Sequence, residues 1–139
     1  MAESLVVGVD GSAMSQVAVE VAGKLAKDLG DKVYVVFGYE PQRVAEIQDH
    51  RAALEELGEK FCARAIGHLE ELGVECEARL VDTGPVDALI SVADQYDSRM
   101  IAVGSYGDSP LKGALLGSTP HKLVHLSRRP VLVVRGADD

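Results

Sequence analysis

Short, apolar, β-branched segments alternate along the whole chain with longer segments of helical periodicity, and this alternation restricts the fold more than any other feature. Between the short segments lie four amphipathic stretches whose apolar residues recur every three or four positions. Five segments are predicted to be strands: Leu5–Asp10, Lys32–Tyr39, Val74–Asp82, Met100–Gly104 and Pro130–Arg135. The pattern predicts the element order βαβαβαβαβ, with the third strand near a sheet edge because its apolar and polar residues alternate.

Several residues mark the ends of the expected helices. Ser12 is a suitable N-cap for the first helix, and Gly30 is a suitable stop. A polar connection is expected over residues 40–50, before the long second helix. The fourth helix is expected from about Ser118 to Ser127, with Pro120 in its first turn, where a missing N–H costs nothing.

Strands that alternate with helices form a parallel sheet with helices on both faces, because right-handed crossovers return the chain over the sheet. With 139 residues the chain is expected to form one domain, residues 1–139. Ligands of such doubly wound α/β folds bind outside the carboxyl ends of the strands, where the strand order reverses. The functional site is therefore expected after the first, second and fourth strands.

Charge and composition argue against several classes of function. The net charge of −8 opposes binding to duplex nucleic acid, and the absence of Trp, with 4% aromatic residues, opposes stacking on single strands. No apolar run approaches the roughly 18–20 residues of a membrane span, and no signal peptide is recognisable. Cys62 and Cys76 are too few for a disulfide framework. We therefore expect a cytoplasmic protein that binds neither nucleic acid nor membrane.

Glycine, hydroxyl and acidic residues cluster where the expected strands end. Glycines let backbone N–H groups approach phosphate oxygens, and a helix N-terminus adds unpaired donors and a favourable dipole. A single glycine most often only turns the chain. The set as a whole, placed after strand four and opening a helix, favours a nucleotide site. The candidate binding residues are Asp10, Gly11, Ser12, Gly38, Val103, Gly104, Tyr106, Gly107, Gly117, Ser118 and Thr119.

Other chemistry is less well supported by the sequence. His121 and His125 lie four positions apart on one helix, as zinc ligands can, but the sequence offers no obvious third ligand. They are interpreted as a solvated helix face, and no metal-binding side chains are predicted. No residue stands out as a general base for activating water, so the chain is not expected to be an enzyme.

The spacing Gly104-x-x-Gly107, nine residues, Gly117-Ser118 resembles the G-x-x-G-x9-G-[ST] signature of nucleotide-binding universal stress proteins. The segments VGVDGS, VDTGPVDALISVAD, MIAVGSYG and RRPVLVV extend this resemblance over essentially the whole chain. The resemblance implies a five-stranded parallel sheet of order 3-2-1-4-5, with ATP or a related adenine nucleotide between strands one and four. Gly104, Gly107, Gly117 and Ser118 would hold the ribose and phosphates. Asp10 would lie near the ribose or contact the nucleotide through Mg²⁺.

The resemblance also implies a homodimer that forms through strand five, Pro130–Arg135. Three positions depart from the family pattern. Gly38 replaces a more usual Val, which predicts a looser adenine pocket; Asp108 places a carboxylate near the phosphates; and Pro120 replaces a frequent hydroxyl donor. AMP and cyclic AMP therefore remain open beside ATP.

These expectations combine into one favoured function and two alternatives. The favoured function is an adenine-nucleotide-binding stress-response or signalling module without strong catalysis. The first alternative is a ligand-free dimeric interaction module on the same fold. The second is a slow ATPase.

Overall fold

A computed structural model describes residues 3–40, 47–106 and 116–136 of the chain. Its strands form one parallel sheet of order β3-β2-β1-β4-β5, as predicted. The described elements follow the predicted order βαβαβαβαβ. They are β1 Ser4–Gly8, α1 Ala13–Leu29, β2 Lys32–Gly38, α2 Ile47–Glu71, β3 Cys76–Val81, α3 Pro85–Gln95, β4 Met100–Gly104, α4 Ser118–Leu126 and β5 Val131–Val134.

Several predicted boundaries were wrong, and strand β3, for example, begins at Cys76 rather than at Val74. Helix α2 begins at Ile47, inside the segment expected to be a polar connection. Polar composition does not distinguish a loop from a solvated first turn of a helix, and residues 47–50 contain neither Gly nor Pro. Strand β1 ends at Gly8 rather than at Asp10, because the carboxylate of Asp10 accepts a hydrogen bond from the backbone N–H of Ser12 and the chain turns there.

Strand β1 lies at the centre of the sheet and is buried on both faces. Leu5 and Val7 face helices α1 and α2, whereas Val6 faces helices α3 and α4. Each helix covers its side with small or aliphatic residues, such as Ala18 and Ala22 of α1. The sheet is thus doubly wound, and the near-continuous apolar runs of its inner strands reflect burial on both faces.

The predicted ends of α1 are confirmed. The hydroxyl oxygen of Ser12 accepts a hydrogen bond of 3.2 Å from the backbone N–H of Ser15, which makes Ser12 the N-cap. Gly30 closes the helix in the left-handed conformation, at φ 75°. Among the described residues, no helix combines the length and apolarity that crossing a membrane requires.

An ion pair ties the amino ends of β1, β2 and β4 together, opposite the expected site. The Asp31 carboxylate, of which 1% is exposed, accepts hydrogen bonds of 2.8 and 3.0 Å from the Arg99 guanidinium. Arg99 also contacts Glu3, and its backbone N–H donates to the carbonyl oxygen of Ser4. This end of the sheet is therefore closed by polar groups that satisfy one another.

We expect Arg99→Met to lower the melting temperature by several degrees, because it leaves the buried Asp31 carboxylate without its cation. The matched control is Arg51→Met, which breaks a 3.0 Å pair with Asp82 in which both side chains are substantially exposed. Differential scanning calorimetry of both variants checks this prediction. Equal losses in the two variants would contradict it.

Candidate functional site

A cavity of about 410 Å³ opens at the carboxyl ends of β1, β2 and β4, where the strand order reverses. The first turns of α3 and α4 complete its walls. Its size falls within the range of small-molecule sites. The lining residues are Gly8, Val9, Asp10, Ser15, Val36, Phe37, Gly38, Pro85, Leu89, Val103, Gly104, Tyr106, Gly117, Ser118, Thr119 and Pro120.

Most of the candidate residues meet at this cavity. The candidates that line it are Asp10, Gly38, Val103, Gly104, Tyr106, Gly117, Ser118 and Thr119. Gly11 and Ser12 do not belong to its wall. Gly107 lies outside the described residues, as does Asp108. The sequence therefore predicted the location of the cavity and about half of its lining.

The Asp10 side chain is held in a tight turn at the cavity mouth. Its Oδ1 atom accepts two hydrogen bonds from Ser12, one of 2.9 Å from the backbone N–H and one of 2.5 Å from the hydroxyl. The Ser15 hydroxyl donates to the carbonyl oxygen of Ser12 and accepts from the N–H of Asp10. The side chains of Ser12 and Ser15 thus hold the turn that fixes the direction of the exposed Asp10 carboxylate.

Gly11 and Ser12, both predicted as binding residues, form the turn beside the cavity and do not line it. Gly11 adopts φ 83°, a conformation that favours glycine. A Cβ atom on Gly11 would lie 2.4 Å from Cζ of Phe61, which packs on the turn from helix α2. The oxygen of Ser12 is already occupied as the cap of α1.

Gly104 and Gly38 allow helices to approach the strand ends closely. A Cβ on Gly104 would lie 3.0 Å from the backbone of Met14 in α1. A Cβ on Gly38 would lie 2.8 Å from Cα of Pro85 and 2.7 Å from Cβ of Ala88, both in α3. The space that a Val would fill at position 38 is therefore occupied by α3. The expected looser pocket does not follow from this glycine.

The start of α4 faces the cavity, and its backbone donors are only partly used within the protein. The N–H of Gly117 donates a 2.8 Å hydrogen bond to the carbonyl oxygen of Ser105 and is thereby committed. The N–H groups of Ser118 and Thr119 lie in the first turn, where a helix provides no partner. Pro120 has no N–H and is buried against the cavity. A short array of N–H and hydroxyl donors results.

Sequence reasoning missed the apolar part of the wall. The lining residues that it did not name as binding residues are Gly8, Val9, Ser15, Val36, Phe37, Pro85, Leu89 and Pro120. Val36 and Phe37 belong to the end of β2, so the rule that ligands bind at carboxyl ends could have identified them. Leu89 and Pro85 depend on how α3 packs against that strand, which periodicity alone does not reveal.

The described wall of the cavity contains no Lys, Arg or His, and Asp10 is its one carboxylate. Within the described parts of the chain, no group of three His, Cys, Asp or Glu residues is arranged to hold a metal ion. The rings of His121 and His125 lie edge to face, with centroids 5.0 Å apart. Burial raises the pKa of the Cys62 thiol to about 11, so this thiol is unreactive.

Sequence comparisons give a consistent result. The model of the universal stress protein family matches residues 1–135. The universal stress protein YxiE of Bacillus subtilis is 31% identical to this chain, over 97% of this chain and 100% of that protein. The universal stress protein Rv1636 of Mycobacterium tuberculosis is 30% identical, over 95% of each chain.

Solved structures agree with the sequence comparisons. A crystal structure of a universal stress protein in complex with cAMP matches with a TM-score of 0.76 and 32% identity, over 95% of this chain and 96% of that chain. MJ0577 of Methanocaldococcus jannaschii matches with a TM-score of 0.86, over 100% of this chain and 99% of that chain. Its 20% identity supports the fold alone.

We expect Gly38→Ala to lower the free energy of unfolding, because the new Cβ meets the backbone of Pro85 and helix α3 must shift. The matched control is Gly67→Ala in α2, where a Cβ would meet nothing within 4 Å. That change should stabilise the protein by about 0.5–1 kcal/mol through the loss of backbone freedom. Urea unfolding measures both effects, and a stabilising Gly38→Ala would refute the close approach of α3.

Proposed function

We propose that this chain, which belongs to the universal stress protein family, binds an adenine nucleotide in the cavity between β1 and β4. The observation that carries the proposal is that one cavity brings together an apolar wall and the first turn of α4, where the N–H groups of Ser118 and Thr119 have no partner within the helix. The adenine base requires an apolar wall, and the phosphate requires N–H donors such as those at the start of α4. The relative solved in complex with cAMP, at 32% identity, supports the same class of ligand.

The two ends of the cavity differ in chemistry, and this difference orients the nucleotide. Val36 and Leu89 provide apolar surface beside β2, where we place the adenine. Ser118 and Thr119 provide hydroxyl and N–H donors at the start of α4, where we place the phosphate. Asp10 lies at the end of β1 between these two regions and is assigned to the ribose, or to a Mg²⁺ ion bound with the nucleotide.

The charge of the cavity favours nucleotides with few phosphates. A triphosphate brings about four negative charges next to the Asp10 carboxylate, and no described lining residue is cationic. Pro120 and Gly117 contribute no available N–H at the helix start. We therefore propose AMP or cyclic AMP as the better ligands, with ATP depending on Mg²⁺.

The chain is proposed to be a binding module rather than an enzyme. Asp10 is the one described carboxylate in the cavity, and Oδ1 of Asp10 already accepts two hydrogen bonds from Ser12. Activation of water requires a base within reach of the attacking molecule, and transfer of a γ-phosphoryl group requires charge stabilisation by cations.

The cytoplasm is the proposed location, because both Cys62 and Cys76 are free thiols. A stress-response or signalling role fits a binder without turnover.

Strand β5 is the proposed site of homodimer formation. It and β3 form the two edges of the sheet. Edge β3 carries the charged residues Glu77 and Arg79, which discourage pairing with another strand. Edge β5, residues Val131–Val134, carries only apolar side chains, and all of them except Val134 are partly exposed. A two-fold dimer that pairs β5 with its mate would cover this edge.

Calorimetry on nucleotide-free protein tests the proposed ligand. We expect AMP and cyclic AMP to bind, ATP to bind more weakly without Mg²⁺, and Asp10→Ala to weaken the binding of AMP and cyclic AMP. A ligand that binds only the folded state adds about 2.7 kcal/mol of stability at 100 times its dissociation constant. Asp28→Ala, which removes an exposed carboxylate at the far end of α1, is the matched control.

Each contrary outcome of this experiment points to a different conclusion about function. Absence of binding by every adenine nucleotide would favour the ligand-free interaction module. Rapid phosphate release from ATP that depends on Asp10 would establish an ATPase. Tighter binding of ATP than of AMP in the absence of Mg²⁺ would contradict the charge argument.

Light scattering tests the dimer. We expect the mass of two subunits for the unmodified chain and of one subunit for Val133→Lys, which places charge on the β5 edge. Glu77→Lys, which places the same charge on the β3 edge, should leave the dimer intact. A single-subunit mass for the unmodified chain at micromolar concentration would reject the assignment.

A further inference from the structure

One face of helix α2 lies against the back of the cavity. Three of its residues, spaced three apart, contact the strand ends that form the site. Glu55 accepts a 2.9 Å hydrogen bond from the Tyr39 hydroxyl, just after β2. Burial, together with Glu55, raises the pKa of Tyr39, so the phenol keeps the proton that it donates. Gly58 lets Phe37 approach until a Cβ on that glycine would lie 2.5 Å from the ring.

Phe61 makes the third contact, on the turn that carries Asp10. Three atoms at the tip of its ring lie 2.4–2.7 Å from where a Cβ on Gly11 would be. The ring also lies edge-on to Phe37, with centroids 6.0 Å apart. Phe61 therefore touches two segments that contribute to the cavity wall, although it lines no part of that cavity itself.

Glycine is the residue whose backbone loses the most freedom when it is ordered, and Gly11 is held at φ 83°. Ser12 and Asp10, which bond to each other, move with the turn, and Ser15 anchors the turn only from the α1 side. A neighbouring element that occupies the space above Gly11 restricts the backbone conformations that the turn can adopt. The ring of Phe61 is in that position.

We propose that Phe61 is a positioning residue for Asp10, and that it couples the docking of helix α2 to ligand binding in the cavity. The ring keeps the Gly11 turn closed, the turn directs the Asp10 carboxylate at the bound nucleotide, and the nucleotide in return stabilises the docked helix, because coupling between sites is reciprocal. The effect of the nucleotide on helix α2 rests on the proposed nucleotide binding, whereas the closure of the Gly11 turn by Phe61 does not.

Hydrogen exchange tests, without any ligand, whether Phe61 keeps the Gly11 turn closed. The Ser12 amide, which donates to Asp10 at 2.9 Å, reports closure of the turn. In Phe61→Leu, which shortens the side chain at the ring tip, we expect this amide to exchange at least about fivefold faster, while the core amides of β1 keep their protection. Leu57→Ala, at an exposed position of the same helix, is the control and should change nothing at Ser12. Unchanged exchange at Ser12 in Phe61→Leu overturns the proposal.

A double-mutant cycle tests whether Phe61 acts on ligand binding through Asp10. We expect Phe61→Leu to weaken AMP binding at least about fivefold in the presence of Asp10, and to have little further effect in Asp10→Ala. General loosening of the fold would weaken binding equally in both backgrounds, so additive effects overturn the coupling. If the unmodified chain binds no adenine nucleotide, the proposed function and the coupling both fall, and the exchange result alone decides whether Phe61 closes the turn.

Discussion

The pairing of β1 with β2 on one side and β4 on the other, all parallel, determines where this protein can have a site. Val7 lies opposite Val35 in β2 and Ala102 in β4. The chain leaves β1 through α1 on one face of the sheet to reach β2, and it returns from β3 through α3 on the other face to reach β4. The helices that follow the strands therefore diverge at the carboxyl ends, and a gap opens that no other pair of strands in a 3-2-1-4-5 sheet produces. Burial of β1 on both faces holds the gap in place.

The glycines around the gap are explained first by packing and only then by ligand binding. Gly104 admits the first turn of α1, Gly38 admits the first turn of α3, and Gly11 admits the ring of Phe61. Each permits a helix to come closer to a strand end than a side chain would allow. The close approach brings helix N-termini to the cavity, and the N-terminus of α4 supplies the donors. The glycines therefore act mainly by positioning the helix termini that carry the binding groups, and less by binding the ligand themselves.

The fold was predictable from sequence because its signals are local. Apolar runs, a serine cap and a glycine stop each report on a few neighbouring residues, and the crossover rule fixes the topology from their order. The resemblance to a known family supplied the strand order. The cavity was predictable only where chain position decides, as at Asp10 and Thr119. Leu89, Pro85 and Phe61 could not be identified, because their roles arise from helices that pack across the sheet. Phe61 has the same helical periodicity as any core residue, and nothing in its neighbourhood along the chain marks its contact with Gly11.

The two ends of the sheet distribute charge in opposite ways, and this bears on what the cavity can select. At the amino ends Arg99 and Arg129 are bound by carboxylates, including the buried Asp31, so these cations are committed to holding strands and helices together. At the carboxyl ends the described cavity wall has backbone N–H groups and hydroxyls but no cation. Such donors act over a hydrogen-bond length and distinguish geometry, whereas a lysine or arginine attracts any anion over a longer range. Under the proposed function, such a site would recognise the shape of one phosphate next to a base, and it would gain little from each additional negative charge.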